Sequence, residues 1–306
     1  SSDLMNIENL KTFITLSELK NFTQTADRYF IVQSTVTNRI MELEKELGKK
    51  LFIRNRKNVE LTEEGQHFLA YAKRIVALEA SAIEELSMLH TFSENLRIGT
   101  VNTVYDCYLI DPITAFVKNH KDISVKVIVD HTGPLLRMLQ DGTVDVAFCY
   151  APLKKAGFIC KPFMSDDLLL VTSPDHTEHI DGITQSQLAE IGYLYCDFIV
   201  HDNGTFIRDL FPKNFAFSFE IDKLTHLPHY LMEGIGYTFL PRSLVQPYLD
   251  NGSLISIPLK GFEAPEVQSF VIIPEGKADV LSIERFLQVL PQENAQKEAQ
   301  EDFLNA

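Results

Sequence analysis

The segment Gln33–Leu47 constrains this chain more than any other. Its apolar positions Val36, Ile40, Leu43 and Leu47 are spaced four, three and four apart, which is one face of a helix, and Gly48 follows as a natural stop. That face needs a partner, and the preceding residues supply one. Ile7 to Leu19 predicts a helix with Leu10, Phe13 and Ile14 on one side, interrupted by Asn21 and Phe22. Thr23 is the expected N-cap of a second, short helix whose apolar face comprises Ala26, Tyr29 and Phe30, with Ile31 and Val32 as a tight connection. A short helix, a tight turn and a longer helix have the spacing of a helix-turn-helix, although a surface helix on a small bundle has the same pattern.

With Val36 and Ile40 turned inward, Ser34, Thr35, Asn38 and Arg39 lie on the opposite face. Short hydrogen-bonding groups and a guanidinium at the start of a helix suit base edges and phosphates in a major groove. Leu51–Phe52–Ile53–Arg54 and Val59–Glu60–Leu61 then flank the polar Asn55 to Asn58, the pattern of a hairpin with Arg56 and Lys57 at its tip. Such a cationic wing suits phosphate or minor-groove contact. The formal net charge of -14 argues against nucleic acid until the chain is divided. Residues 1–61 hold 10 Lys+Arg and 8 Asp+Glu, whereas the remainder holds 18 and 34. Lys49, Lys50, Arg54, Arg56 and Lys57 fall in one stretch free of acid. An acidic body with one basic patch fits a DNA-binding head; a solvated basic loop is the plainer alternative.

The run Phe22–Thr23–Gln24–Thr25–Ala26–Asp27–Arg28, followed by Gln33–Ser34–Thr35–Val36–Thr37–Asn38–Arg39–Ile40, Leu43–Glu44, Leu47–Gly48, Leu51–Phe52–Ile53–Arg54 and Leu61–Thr62–Glu63–Glu64–Gly65, closely resembles the winged helix-turn-helix of LysR-type transcriptional regulators. Chain length and domain order extend the resemblance over essentially the whole protein. Val32, Ser34 and Asn38 stand where that family often has Ser, Pro and Arg, and Arg39 is the expected substitute for the displaced Arg. The resemblance implies Gln33, Ser34, Thr35, Thr37, Asn38, Arg39 and Arg54 as contacts to double-stranded DNA; Arg56 and Lys57 follow from the charge argument.

Thr62 to about Thr91 contains no proline and only Gly65 as a glycine, with Thr62 as a cap and Glu63 and Glu64 at the positive end of the helix dipole. Phe68, Ala72, Ile75, Ala82, Ile83, Leu86 and Leu89 form an apolar stripe interrupted at Glu79. The small head is too short to cover all of it. A partner helix from a second chain is the economical expectation, and packing on the chain's own body the alternative. The resemblance implies the same self-association, as a dimer or a dimer of dimers on an inverted repeat, with RNA polymerase as a further partner.

From Leu96 onward strands and helices alternate: strand Leu96–Thr100, a helical stretch through Phe116, strand Val125–Val129, helix Leu135–Leu139, strand Val144–Phe148 and strand Leu168–Val171. This reads as an α/β fold with largely parallel sheets. Glu233 to Pro241 reads as a helix end, a glycine turn and a strand; strand Gln268–Ile273 and helix Val280–Leu290 follow. The segments Gln140 to Ala147 and Glu233 to Pro241 look like the family's effector domain, itself similar to periplasmic solute-binding proteins with two lobes around a cleft. The expected organisation is a head over 5–61, a linker helix over 62–91, and an effector domain over 95–290, with lobes of about 95–162 plus 266–290 and about 163–265. A polar tail of 291–306 ends the chain. Ligands of such lobes gather at the carboxyl ends of strands. Thr100, Asn102, Thr103, Thr132 and Tyr150 in the first lobe, and His201, Asn203 and His226 in the second, are the expected contacts to a small-molecule effector. A multiply charged acid is not favoured by the few cations there.

Other classes find less support. There is no G-x-S-x-G, P-loop or G-x-G-x-x-G, and Asp130–His131 and His201–Asp202 are adjacent pairs without a nucleophile, so no enzyme is expected. His176 with His179 and His226 with His229 are three apart but lie beside Pro174 and Pro228, with no Cys near, so neither a metal nor a cofactor is expected. An unregulated solute-binding module would have no use for the head. Cys107, Cys149, Cys160 and Cys196 are widely spaced and read as reduced thiols. Ser1 to Leu4, ahead of Met5, are set aside as foreign to the fold, and no apolar run reaches the ~20 residues that cross a bilayer. The expectation is a cytoplasmic protein without a membrane partner.

Overall fold

The computed structural model describes residues 6–54, 59–88, 91–196 and 206–291. The chain divides into two compact units, Ser1–Leu89 and His90–Ala306.

In the first unit, α1 (Ile7–Leu19) is capped by the Asn6 side chain and ends at Lys20 in the left-handed region. Helix α2 (Phe22–Arg28) is capped by Asn21, two residues before the expected Thr23, because the Asn21 side chain accepts the N–H groups of both Thr23 and Gln24, at 2.9 and 3.1 Å. Asn reaches two unpaired donors from the cap position, which Thr23 inside the first turn cannot do. Phe30 also departs from expectation. The helix ends before it, its φ is +55°, and its side chain points to solvent rather than sharing a buried face with Ala26. Helix α3 (Gln33–Leu47) has the expected bounds, with Val36, Ile40 and Leu43 buried and Gly48 closing it at φ +64°.

Strands β1 (Phe52–Arg54) and β2 (Val59–Leu61) pair antiparallel, Phe52 opposite Leu61, forming the hairpin. Helix α4 (Glu63–Met88) begins where the Thr62 hydroxyl accepts the Gly65 N–H at 2.9 Å. Gly65 allows a close approach: a Cβ there would collide with the Leu51 carbonyl oxygen. Phe13 packs against Phe52 and Phe68 at centroid distances of 5.4 and 5.5 Å, tying α1, the hairpin and α4 into one core. The α4 stripe divides. Phe68, Ala72 and Ile75 pack on the head, whereas Ile83 and Leu86 are 58% and 67% exposed. Glu79, where the stripe breaks, pairs with Lys11 at 3.4 Å. Leu89 lies outside the described residues.

The second unit opens with β3 (Glu94–Thr100), a helical run of α5 (Asn102–Val104), a π-turn (Tyr105–Leu109) and α6 (Ile110–Asn119), then β4 (Ile123–Val129), α7 (Thr132–Gln140) and β5 (Val146–Cys149). β3 pairs parallel to both β4 and β5. The long β6 (Phe158–Thr172) follows, then β7 (Ile183–Thr184), β8 (Leu194–Cys196), α8 (Phe206–Asp209), β9 (Phe219–Ile221), α9 (Leu227–Met232), β10 (Tyr237–Pro241) and α10 (Arg242–Asp250). Short β11 (Ile255–Ser256) and β12 (Leu259–Lys260) lead to β13 (Glu266–Pro274) and α11 (Leu281–Gln288). The main sheet runs β10-β6-β13-β5-β3-β4, with β11 also on β6.

This sheet is mixed, not largely parallel. β13 lies between β5 and β6 and is antiparallel to both, and β6 is antiparallel to β10 and β11. Local βα alternation reports parallel neighbours; it carries no sign of a strand inserted from over a hundred residues away. The register of β6 and β13 shifts between Gln268 and Phe270, opposite Ser165 and Pro162, where the first expected lobe gives way to the second. There the Ser269 hydroxyl accepts the Met164 N–H at 3.1 Å and donates to its carbonyl at 2.9 Å, replacing ladder bonds lost at the irregularity. Phe148 and Phe116 each meet Phe286 edge-on in the main core, and Leu227, Leu231, Leu240 and Val245 form a second one.

Candidate nucleic-acid interface and inter-lobe cleft

In the head, Gln33, Ser34 and Asn38 are exposed and Thr35 and Thr37 half-buried; Ser34 and Asn38 lie on the side of α3 away from Val36 and Ile40. Arg39 is placed differently from the sequence expectation. Its guanidinium donates to the Thr12 hydroxyl at 3.0 Å and lies 3.5 Å from Glu8, so it braces α3 against α1. At the far end of α3, buried Glu44 accepts the Leu51 N–H at 2.9 Å and the Phe52 N–H at 3.3 Å, and pairs with Lys50 at 2.6 Å. Burial pushes the Glu44 carboxyl up, but Lys50 and the two N–H groups outweigh it and hold it below the usual range. One carboxylate thus fixes the hairpin to the helix. Arg54 ends β1; Arg56 and Lys57 lie outside the described residues.

In the body, a cavity of about 480 Å³ opens between the carboxyl ends of β3, β4 and β5 and the segment Asp222–His226 after β9. Of the residues expected from sequence to contact an effector, Asn102, Thr103, Tyr150 and His226 line this cavity. The Thr225 hydroxyl donates to Asn102 across the cavity at 3.1 Å, and Asn102 in turn donates to Asp106 at 2.8 Å. Thr100 is fully buried, its hydroxyl spent on the Val101 carbonyl, and it does not line the cavity. Thr132, the first residue of α7, is likewise buried; its hydroxyl finds no partner among the described residues and it is absent from the lining. His201 and Asn203 lie outside the described residues.

Sequence reasoning missed Asp106, Asp222 and Thr225 in this lining. Asp106 was findable, since it sits one turn after Asn102 on the same helical run. Asp222 and Thr225 come from a loop whose approach is set by tertiary structure. Among the described residues, the charged lining comprises Asp106, Asp130 and Asp222 with Lys223 as the one Lys or Arg, plus His131 and His226.

Beneath the cleft, Asp166 of β6 accepts the Tyr108 hydroxyl at 2.7 Å and the N–H and hydroxyl of Ser243 at the start of α10. Burial pushes this carboxyl up against the lowering effect of those donors, with Asp167 adding to the rise. Burial likewise pushes the neighbouring Cys107 thiol up to about 11, so it stays protonated at neutral pH. No helix among the described residues is long and apolar enough to cross a membrane.

Comparison with known proteins bears on both sites. The profile for bacterial regulatory helix-turn-helix proteins of the lysR family matches residues 7–66, and that for the LysR substrate binding domain matches residues 90–295. The HTH-type transcriptional regulator CitR of Bacillus subtilis (strain 168) is 25% identical over 276 residues, 88% of this chain and 93% of its own. The HTH-type transcriptional regulator CzcR of Bacillus anthracis is 29% identical over 250 residues, covering 79% and 82%. Among solved structures, CbnR, a LysR family transcriptional regulator, superposes with a TM-score of 0.64 at 19% identity over 93% of this chain and 97% of its own.

Proposed function

Because the chain belongs to the LysR family, and is thus a DNA-binding transcriptional regulator with a substrate-binding domain, we propose that it binds an inverted-repeat site as a homo-oligomer and responds to a small molecule held in the cavity between Asn102 and Thr225. The observation that carries this reading is the Thr225–Asn102 bridge, which joins the two walls of the cleft through polar groups a ligand can compete for. A ligand that prefers one separation of the walls shifts the population toward it, and only that differential affinity gives regulation. The three carboxylates of the lining argue against a polyanionic effector. Gln33, Ser34, Thr35, Thr37 and Asn38 read bases from α3, and the cationic hairpin with Arg54, Arg56 and Lys57 holds phosphates. Half of the α4 stripe, Ile83 and Leu86 in particular, is left for a second copy. RNA polymerase is the further partner of the regulator on its promoter.

The reading is tested on the full-length protein. Duplexes enriched from a random library are expected to carry an inverted repeat and to bind more weakly as salt rises, with a slope reduced when Arg54, Arg56 and Lys57 become Ala. A thermal-shift screen of amino acids, amines and carboxylic acids identifies the effector class, and Thr225→Val should change the response to the hit. Enriched sites without symmetry, or a hit indifferent to Asn102→Ala and Thr225→Val, would refute the respective half.

A further inference from the structure

We infer that Phe30 and Val32 form an apolar lip at the entrance of α3 that reads thymine methyl groups in the bound duplex. Two observations meet at this turn. Phe30 is 97% exposed and holds φ +55°, a backbone region where a bulky side chain is an outlier and Asn fits far better. Val32 occupies the N-cap position of α3, makes no side-chain cap bond and is 66% exposed. Ser, Thr, Asn and Asp are the residues that stabilise that position. At both places an apolar residue stands where a polar one would serve the fold better, and neither gains burial within its own unit.

The occupant follows from continuity. Gln33 and Ser34, exposed on the next two positions, begin the helix face assigned to DNA, so the lip borders the same groove edge. Phosphates and base amino or carbonyl groups would call for donors and acceptors. The one apolar group that base edges present in the major groove is the thymine C5-methyl, which Phe and other apolar side chains contact. The inference rests on the DNA reading of α3 and adds a base preference to it.

The test uses full-length protein and duplexes enriched by the wild type from a random library. Each thymine is replaced in turn by deoxyuridine, which removes only the methyl group. The wild type should lose roughly fourfold in affinity at a thymine in each half-site, the worth of one buried methyl. Phe30→Asn or Val32→Ser should abolish that penalty at its own thymine while binding the uracil duplex as the wild type does. Phe30→Asn should also raise the melting temperature, and Val32→Ser gives a second readout should the first variant fold poorly. Enriched duplexes insensitive to every uracil, or a penalty that persists unchanged in both variants, overturn the lip but leave α3 as a reader. Failure to enrich any sequence overturns the DNA reading itself.

Discussion

Glu44 and Leu51 are joined by a buried hydrogen bond of 2.9 Å from the Leu51 backbone N–H to the Glu44 carboxylate, which ties the end of α3 to the start of the hairpin. The same carboxylate takes the Phe52 N–H and the Lys50 ammonium, so the wing's first strand is fixed by a side chain of the helix it accompanies.

Glu44→Ala therefore leaves two backbone donors unpaired and should destabilise the head by about 2 kcal/mol. The folded-state pKa is depressed, so the stabilisation is present above the ordinary glutamic acid range and lost as pH falls through the folded value. Hydrogen exchange of the α3 amides in wild type and variant, followed from pH 7 into acid until the head unfolds, measures this; a gap that never narrows contradicts it.

Asp166 has the opposite sign. Its folded pKa is raised, so its contribution is complete below the ordinary aspartic acid range and declines as pH rises through the folded value. Asp166→Asn, which removes the charge, should flatten the pH dependence of thermal stability in the body above about pH 4. An unchanged profile would show that the burial of this carboxylate carries no titration.

Ile83 and Leu86 are exposed on the half of α4 that the head does not cover. Ile83→Glu with Leu86→Glu should convert an oligomer to monomer in sedimentation velocity with no loss of helix content, because neither side chain is buried within the first unit. A wild-type chain that already sediments as a monomer defeats the proposal.

Asn38 and Arg39 should separate in a selection experiment. Asn38→Ala changes the enriched sequence at one position per half-site, since its side chain is exposed on the outer face of α3. Arg39→Ala, which frees Thr12 and Glu8, lowers affinity for all duplexes alike without altering the enriched sequence. A changed base preference in Arg39→Ala would return that residue to the readers.

Period and punctuation determined much of this protein. The 4-3-4 spacing of Val36, Ile40, Leu43 and Leu47 admits one helical face, and Gly48 ends it, so α3 was legible to the residue. The hairpin, α4 and the strand-then-helix order from Leu96 were read from equally local signals. What the sequence left open needed partners distant in the chain. Arg39 looks like an outward cation until α1 presents Glu8 and Thr12 to it. Phe30 looks like one more residue of an apolar face until α2 stops short and the turn swings it into solvent. β13 enters the sheet between β5 and β6, and Thr225 crosses to Asn102, only once the whole second unit has closed. Backbone propensity and amphipathic period act within a few residues, whereas pairing between remote segments depends on which buried polar groups find partners when the chain is compact.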